Sequence, residues 1–348
     1  MKVRWGVIGA GGIADRRTIP EGILPAENSE LVAVMTPHLD RVNNVARKYG
    51  VDKCYTSERD IVKDADVDAV YVASPVNAHA RQAVLAAEAG KHILCEKPLA
   101  LTIDECKKVV SSCRRNRVKL MVGFMMRFHA CHKKAKEIID QGTIGKPVLG
   151  RAQLTCWYPK ISGSWRQDPR LGGGGALMDM GIHCIDLMRM LIGEVAEVAA
   201  FTGRVIQNYH VEDSSTVIMR HRNKAHSIVD NNFNIPDAAA QNSLEIYGSA
   251  GCILGKGTIG QSSSGKIVVK SSEREMGYEA SQIRESLGMR VEEIEPSPVN
   301  IYRAEIEHFA HCILHDEEPI NSGKEALRNQ QIVLAAYRSA KVGRTVKV

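Results

Sequence analysis

Apolar runs of strand length alternate with helical stretches along the chain up to about residue 124. The runs are continuous, and they read VRWGVIGA, ELVAVM, DAVYVAS, KHILCE and KLMVGF. Between them lie stretches such as NAHARQAVLAAEAG and TIDECKKVVSSCRRN, which have helical periodicity. Because strands buried on both faces read as continuous apolar runs, this alternation predicts an α/β domain over residues 1–124, built as a doubly wound parallel sheet.

The pattern changes from residue 125 onwards. After a helical stretch around HKKAKEIIDQG, strand-like runs follow one another with few helices between them: VLGRAQLTCWY, EVAAFTGRVI, SSTVIMRH, AHSIVDNNFNI and NSLEIYG. Successive strands joined by short polar turns indicate antiparallel pairing. We therefore predict a second, α+β domain over residues 125–348, with a largely antiparallel open sheet and two amphipathic helices near 301–315 and 323–341.

One helical stretch, GGGGALMDMGIHCIDLM, is apolar almost all round and yet carries Asp179, His183 and Asp186. Their i, i+4, i+7 spacing places them in one polar stripe on an otherwise buried element. Either the stripe closes on itself as a structural hydrogen-bond network, or it faces a cleft where a substrate supplies the partner.

Composition narrows the class of protein. With 348 residues, 44% of them hydrophobic and 25% charged, the chain is an ordinary globular protein with room for two cores. The net charge of +6 comes from scattered residues, which argues against nucleic-acid binding. Nine cysteines without a CxxC pair suit reduced thiols in the cytoplasm, and no stretch of about 18 uncharged apolar residues predicts a membrane span.

A dinucleotide fingerprint follows the first predicted strand. Gly9, Gly11 and Ala14 satisfy G-x-G-x-x-G/A, with Gly12 and Ile13 opening the predicted helix. The first glycine permits the tight turn, the second lets the backbone approach a pyrophosphate, and the small third residue allows close packing of helix on strand. The helix N-terminus favours the anion. We predict a nucleotide site here.

The choice between NAD and NADP depends on the end of the second strand, which reads Val34-Met35-Thr36-Pro37-His38. The acidic residue that usually holds the ribose hydroxyls is absent, so nothing there repels a 2′-phosphate. Arg41, at the head of the next helix, could pair with that phosphate, and the pattern favours NADP. Alternatively, Arg41 is solvated, and Thr36 and the backbone alone hold the ribose.

Glu96 and Lys97 come at the carboxyl end of a predicted parallel strand, the edge where ligands of open α/β sheets bind. Pro98 follows immediately, and an X-Pro bond restricts the backbone and is sometimes cis. The turn could therefore aim the lysine into the crevice. The alternative is a Lys-Pro loop that simply ends a strand.

Several segments together resemble the Gfo/Idh/MocA family of oxidoreductases nearly end to end. They are the fingerprint, ASPVNAHARQAVLAAEAGKHILCEKPLA, GFMMRF, GGGGALMDMGIHCIDL and EIEHFAHCILHDEEP. The E-K-P tripeptide and the D-x-x-x-H helix are the most specific. The resemblance implies a Rossmann domain, a C-terminal domain whose open sheet packs in a homo-oligomer, a dimer or tetramer, and hydride transfer between NAD(P) and a sugar or cyclitol carbon bearing a hydroxyl.

The same resemblance implies roles for three residues. His183 would take the proton from the reacting hydroxyl, a role that suits an imidazole because its ordinary pKa lies near working pH. Lys97 would donate to the reacting oxygen and stabilise its developing negative charge. Asp179 would orient the substrate or the imidazole. The roles of Lys97 and His183 could be exchanged, and we interpret Asp186 as a structural partner.

Supporting positions extend the expected site. Ser74, Pro75, Asn77 and His79 match the family's T-P-x-x-x-H pattern, with serine in place of the commoner threonine, and would line the nicotinamide side. Glu96 and Lys97 are included among the cofactor-binding positions. Besides Asp179 and His183, the expected substrate contacts are Arg127, Trp165 and Arg166, the last two through stacking and hydrogen bonding. Alternatively, Trp165 fills the core and Arg166 pairs at the surface.

Two histidine-rich stretches raise the question of a metal. One face of a helix carries His308, His311, Cys312 and His315, a spacing that could gather zinc ligands, but nothing nearby completes a site. His129 and His132, in HACH, begin an amphipathic helix and are expected to be partly solvated. We predict no metal site.

Two other functions stay open at this stage. A catalytically silent NAD(P)-sensing regulator would resemble the same family, although the intact triad argues against it. A redox-cycling lyase or glycosidase would keep its cofactor tightly bound and show no net turnover of free nicotinamide.

Overall fold

The computed structural model describes residues 1–272 and 288–348. The chain divides into two compact units. The first unit comprises Met1–Met125, Ile161–Ile182 and Asn300–Gln331. The second comprises Met126–Lys160, His183–Val299 and Ile332–Val348. The sequence prediction assigned the two later segments of the first unit to the second domain, whereas the chain returns to the first unit twice.

The first unit is built on a six-stranded, all-parallel sheet with strand order β3-β2-β1-β4-β5-β6. Its strands are β1 (Val3–Ile8), β2 (Ser29–Met35), β3 (Lys53–Tyr55), β4 (Ala69–Val72), β5 (His92–Cys95) and β6 (Leu120–Val122). The helices between them are a π-helix (Ala14–Ile23), α1 (Leu39–Tyr49), α2 (Glu58–Lys63), α3 (Val76–Glu88) and α4 (Ile103–Arg115). The predicted doubly wound sheet is confirmed. Its strand order reverses between β1 and β4, and the carboxyl ends there form the usual ligand-binding crevice.

Two later segments complete the first unit. They contribute a 3₁₀ turn (Trp165–Gln167), α6 (Pro169–Gly172), a π-helical turn (Leu177–Gly181) and α8 (Ile301–Leu314). Helix α8 begins at Asn300, whose side chain accepts from the backbone N–H groups of Tyr302 and Arg303. Phe309 of α8 packs on the fully buried Trp5 of β1, with ring centroids 5.9 Å apart. This packing explains why α8 belongs to the first unit.

The second unit contains a nine-stranded sheet with strand order β14-β13-β12-β11-β7-β10-β9-β8-β15. Its strands are β7 (Pro147–Thr155), β8 (Val195–Gly203), β9 (Ser214–His221), β10 (His226–Asn232), β11 (Leu244–Gly248), β12 (Gly251–Lys256), β13 (Lys266–Ser272), β14 (Met289–Ile294) and β15 (Val346–Lys347). Among the described strands of this nine-stranded sheet, only β10 and β7 pair in parallel. The predicted, largely antiparallel sheet is therefore confirmed.

The remaining helices are a 3₁₀ turn (Met125–Phe128), α5 (Ala130–Asp140), α7 (Ile182–Ile192), a 3₁₀ turn (Asp237–Ala239) and α9 (Gly323–Val342). Helices α8 and α9 confirm the two amphipathic helices expected near the end of the chain. No helix in residues 1–272 and 288–348 combines the length and apolarity needed to cross a membrane.

One expectation about this region was wrong. His129 and His132 were expected to be partly solvated, whereas they are 1% and 0% exposed. The backbone N–H of Cys131 donates to Nδ1 of His129, and Nδ1 of His132 lies 2.8 Å from the carbonyl oxygen of Met126. Burial lowers the pKa of His132 to about 3. The two rings pack against each other at the start of α5, so they act as neutral core residues.

Candidate active site

The fingerprint loop has a shape that only glycine allows. Gly9 has φ +84°, and a Cβ there would lie 2.7 Å from the backbone nitrogen of Ser74, too close for any side chain. Its own N–H and that of Ala10 both donate to the carbonyl oxygen of Met35, which fixes the loop on the end of β2. At Gly12, with φ +50°, a Cβ would meet nothing within 4 Å. The loop is therefore packed closely against the backbone of Ser74 at Gly9, whereas the space beside Gly12 is open.

A cavity of about 320 Å³ lies over this loop. Its lining residues are Ala10, Gly11, Gly12, Asp15, Arg16, Arg41 and Val45. Nη1 of Arg41 lies 3.8 Å from the position that a Cβ on Gly11 would take, so the guanidinium borders the open side of the loop. The fingerprint glycines Gly9, Gly11 and Gly12 form a glycine cradle. Together with the cavity and the guanidinium of Arg41, this cradle fits the phosphates of a dinucleotide.

Arg16 is a cavity residue that the sequence reasoning missed. Its Nε donates to the carbonyl oxygen of Gly12 at 3.1 Å, so it is fixed on the fingerprint loop. Its position two residues after the end of the fingerprint was the available signal. The acidic neighbour in the cavity, Asp15, already pairs with Lys48 and accepts from the hydroxyl of Tyr49.

Thr36 is placed at the end of β2 as expected, but its hydroxyl is used locally. Its Oγ1 donates to the carbonyl oxygen of His38 at 3.0 Å and accepts from the N–H of His38 at 3.3 Å. The side chain is 3% exposed. It closes the turn before α1, and its contact with a ribose stays a prediction.

The residues after β4 form the start of α3. Ser74 and Pro75 are half-buried and Asn77 is exposed, while His79 is 1% exposed. Nδ1 of His79 lies 2.8 Å from the carbonyl oxygen of Pro98, and Nε2 lies 2.7 Å from that of Ser74. Burial lowers the pKa of His79, and a neutral imidazole carries one N–H, so it donates to one of the two carbonyls. His79 therefore links the loop after β4 to the turn after β5.

Lys97 follows β5 at the carboxyl edge of the parallel sheet, and its peptide bond to Pro98 is cis. Its Nζ donates to Oδ1 of Asp179 at 2.8 Å and to the backbone carbonyl oxygen of the same residue at 2.7 Å. The structure thus brings together two members of the expected triad. Both side chains keep some exposure, 12% for Lys97 and 22% for Asp179, so the pair borders accessible space.

Two expected substrate contacts join this pair. Nε of Arg166 lies 3.4 Å from Oδ1 of Asp179, and its guanidinium carbon lies 4.2 Å from the ring centroid of Trp165. Arg166 therefore stacks on the indole while it shares the carboxylate with Lys97. Both side chains are half-buried. The alternative in which Arg166 simply pairs at the surface does not describe this arrangement.

Glu96 lies directly behind Lys97 and has a hydrogen-bond network that the sequence reasoning missed. Its Oε1 accepts from the hydroxyl of Tyr71 at 2.6 Å, and its Oε2 accepts from the backbone N–H of Lys97 at 3.2 Å. Burial raises the pKa of Glu96, while the positive charge of Lys97 opposes that rise. Tyr71 falls in the apolar run DAVYVAS, and its single hydroxyl was the only available signal.

His183 lies on α7, four residues after Asp179 along the chain, a spacing of about one helical turn. It is 5% exposed. The third polar residue of the stripe, Asp186, forms a bidentate pair with Arg127: Nε to Oδ2 at 2.7 Å and Nη2 to Oδ1 at 2.6 Å. The interpretation of Asp186 as a structural partner agrees with this geometry. A substrate contact by Arg127 stays a prediction.

The histidines on one face of α8 make contacts other than metal coordination. Nε2 of His308 accepts from the backbone N–H of Ile320 at 3.1 Å, and His311 and His315 pack ring on ring. Among residues 1–272 and 288–348, no group of three or more His, Cys, Asp or Glu side chains is arranged to hold a metal ion.

Comparison with known families shows the family to which this chain belongs. Residues 3–124 match the model of the oxidoreductase family with an NAD-binding Rossmann fold, and residues 132–254 match that of the GFO/IDH/MocA C-terminal domain. The chain belongs to the Gfo/Idh/MocA oxidoreductase family. Members are NAD(P)-dependent enzymes, so the glycine cradle and the Lys97–Asp179 pair belong to an oxidoreductase.

Relatives in this Gfo/Idh/MocA family cover most or all of the chain. The 1,5-anhydro-D-fructose reductase of Ensifer adhaerens is 27% identical over 99% of this chain and 98% of its own length. The myo-inositol 2-dehydrogenase of Thermotoga maritima is 31% identical over 72% of this chain and 75% of its own length. The crystal structure of aldose-aldose oxidoreductase from Caulobacter crescentus is 26% identical, with a TM-score of 0.87 and all of both chains covered.

Proposed function

We propose that this enzyme transfers a hydride between NAD(P) and a hydroxyl-bearing carbon of a sugar, sugar derivative or cyclitol, and that Lys97, Asp179 and His183 carry the reaction. The relatives named above support this class of substrate, since they include an anhydrofructose reductase and an inositol dehydrogenase. The bound nicotinamide supplies the hydride acceptor or donor. The protein's own groups must therefore hold the alcohol and handle its proton.

The observation that carries the proposal is the hydrogen bonding of Lys97. An ammonium group has three donors, and two of them go to the side chain and the backbone carbonyl of Asp179. One N–H therefore remains for the oxygen of the reacting carbon. There it would stabilise the negative charge that develops as the hydroxyl loses its proton.

His183 would take that proton as general base in the direction of oxidation and return it in the direction of reduction. Asp179 would hold Lys97 in place, while Arg166 would present donors to the sugar and Trp165, on which Arg166 stacks, would present its apolar ring. If His183 is the base, His183→Ala should lose the limb of the pH profile that reports the base. If instead Lys97 is the base, Lys97→Met should lose that limb. The pH profiles of Lys97→Met and His183→Ala distinguish the two.

The first test is the absorbance of reduced nicotinamide, with NAD or NADP and a panel of cyclitols, aldoses, sugar phosphates and sugar acids. We expect turnover with at least one member of the panel. Silence across the panel, together with tightly bound cofactor, would contradict the proposal. It would favour the sensing regulator or the redox-cycling lyase.

We further propose that NADP is the preferred cofactor. The residue after β2 is Thr36 and not an acid, so the 2′-phosphate meets no repulsion there. Arg41, whose guanidinium borders the cavity over the fingerprint loop, is the candidate partner of that phosphate.

Arg41→Ala should weaken NADP binding by about 10-fold to 100-fold, because a charge-assisted hydrogen bond to a phosphate contributes about 1.5–3 kcal/mol. NAD binding should change much less. Arg47→Ala is the matched control, since Arg47 is exposed in the last turn of the same helix, α1. Calorimetric titration of both cofactors provides the measurement. Equal losses of NAD and NADP affinity in Arg41→Ala would place phosphate recognition elsewhere.

A further inference from the structure

The cavity over the fingerprint loop is lined by two arginines, and only Arg41 has been given a role so far. Arg16 lies on the π-helix and Arg41 lies on α1. Nε of Arg16 donates to the carbonyl oxygen of Gly12 at 3.1 Å. Nη1 of Arg41 lies 3.8 Å from the position that a Cβ on the preceding residue, Gly11, would take. The two guanidinium groups therefore flank consecutive residues of one loop.

Arg16 is held on the loop by one of its N–H groups and keeps the others. The bond to Gly12 uses the donor on Nε, while Nη1 and Nη2 carry the remaining donors of the guanidinium. Within the part of the chain that the structure describes, these terminal nitrogens form no hydrogen bond or ion pair. The side chains of Arg16 and Arg41 are both exposed, so a ligand can reach them. A guanidinium fixed at Nε can present its terminal donors to phosphate oxygens.

The acidic residue in the cavity lining, Asp15, is already paired with groups of α1. Its Oδ1 accepts from Nζ of Lys48 at 2.7 Å and from the hydroxyl of Tyr49 at 2.8 Å. Burial opposes its ionisation, but these two bonds outweigh burial and lower the pKa of Asp15. The charges of Asp15 and Lys48 thus compensate each other, and Arg16 and Arg41 leave the cavity positively charged.

The cavity lies on the side of the sheet where a dinucleotide places its adenosine. Its lining residues Arg41 and Val45 lie on α1, which follows β2, and β2 and β4 lie on opposite sides of β1. In a Rossmann domain the end of the second strand meets the adenosine ribose, whereas the pyrophosphate lies at the N-terminus of the helix after the first strand. At that strand end, the hydroxyl of Thr36 is engaged with the backbone of His38. Cations for a 2′-phosphate therefore come from the cavity.

We propose that Arg16 is a specificity-determining residue for the cofactor, which binds the 2′-phosphate of NADP together with Arg41. The proposal rests on the NADP preference proposed above. A phosphate monoester carries about 1.5–2 negative charges at pH 7, so one guanidinium compensates only part of its charge and two match it. NAD lacks this phosphate and shares the pyrophosphate with NADP. A residue that binds the 2′-phosphate therefore distinguishes the two cofactors, whereas a residue that binds the pyrophosphate does not.

The experiment measures the Kd of NADP and of NAD by calorimetric titration, with no turnover. Arg16→Ala should weaken NADP binding by about tenfold, because it removes a charge-assisted contact with the phosphate, and should change NAD binding by less than about twofold. Arg17→Ala is the matched control. Arg17 is the next residue on the same helix, pairs with Glu21 at 2.6 Å and is absent from the cavity lining. This control should change both Kd values by less than about twofold.

Two further variants test whether the arginines share one phosphate. Arg16→Lys keeps the charge but lacks the planar fork that bonds to Gly12, so it should retain part of the preference for NADP. In the double variant Arg16→Ala/Arg41→Ala, the loss of NADP affinity should differ from the product of the two single losses by more than about twofold, because both residues contact the same group. Adenosine 2′,5′-bisphosphate, which carries the phosphate without the nicotinamide, should reproduce the losses seen with NADP.

Several outcomes would overturn the proposal. Equal losses of NAD and NADP affinity in Arg16→Ala would place Arg16 on the pyrophosphate. An unchanged Kd for NADP, the same loss in Arg17→Ala, or purely multiplicative losses in the double variant would also contradict it. If the wild type binds NAD as tightly as NADP, the proposed cofactor preference fails and this inference fails with it. A selective loss of NADP affinity confined to Arg41→Ala would overturn this inference alone.

Discussion

Two aspartates seven residues apart on one helical stretch have opposite environments. Asp179 meets Lys97 through one carboxylate oxygen and its own backbone carbonyl, and 22% of its side chain is exposed. Asp186 meets Arg127 through both carboxylate oxygens, and only 2% of its side chain is exposed. Both aspartates form ion pairs, and both belong to the polar stripe of the same sequence segment.

The difference supports the proposed roles, with Lys97 and Asp179 in the chemistry and Asp186 in the structure. In the Arg127–Asp186 pair, the planar guanidinium of Arg127 donates to both carboxylate oxygens of Asp186. The pair is therefore a closed structural unit, in which each carboxylate oxygen already has a donor. Lys97 is held by one residue, keeps a donor to spare and borders accessible space. The Lys97–Asp179 pair has an unused donor at the carboxyl edge of the parallel sheet, where a ligand of an open α/β sheet binds, whereas in the buried Arg127–Asp186 pair both carboxylate oxygens are occupied.

Removing the charge of Asp186 should have the largest effect, and the effect should be on stability. Asp186→Asn leaves the guanidinium of Arg127 buried without its carboxylate, so the free energy of unfolding should fall by about 3–5 kcal/mol. Urea denaturation gives this value. A loss below about 1 kcal/mol would show that the pair is not the closed structural unit described here.

The same substitution at the other aspartate should affect turnover instead. Asp179→Asn removes the negative charge that pairs with Lys97, so kcat should fall by about 10²-fold to 10³-fold, or about 3–4 kcal/mol in activation free energy. Unfolding in urea should change by about 1 kcal/mol or less, because this pair is partly exposed. If Asp179→Asn mainly destabilises the fold, the distinction between the two pairs fails.

Breaking an exposed ion pair should have the smallest effect on the free energy of unfolding. Lys136 and Asp140 lie one turn apart on α5, with side chains that are 39% and 58% exposed. Lys136→Ala should change the free energy of unfolding by about 0.3–0.5 kcal/mol and leave kcat unchanged. A larger change in denaturation would mean that exposure is a poor guide to these energies.

Much of the fold could be predicted because the strands of the first sheet are buried on both faces. Continuous apolar runs such as VRWGVI reveal that burial directly. Strand β3 has only three half-buried residues, so the pattern gave no sign of it. The return of α8 to the first unit depends on the packing of Phe309 on Trp5, a contact between distant segments that no local pattern contains.

The candidate site divides in the same way. The glycine fingerprint could be predicted because a tight turn with positive φ at Gly9 leaves a local trace in the sequence. The hydrogen bond from Tyr71 to Glu96 could not, because Tyr71 lies within a continuous apolar run and looks like an ordinary residue of a buried strand. The HACH histidines misled because an amphipathic helix start favours exposure, whereas their rings are buried.

The sequence by itself determined the spacing of Asp179, His183 and Asp186, the position of Lys97 at a strand end, and the glycines that a phosphate requires. Only the tertiary structure decided which cation each aspartate meets. Lys97 is 82 residues from Asp179, and Arg127 is 59 residues from Asp186. The reason is physical: helical periodicity fixes which residues share a face, but the partner of that face depends on packing between segments far apart in the chain.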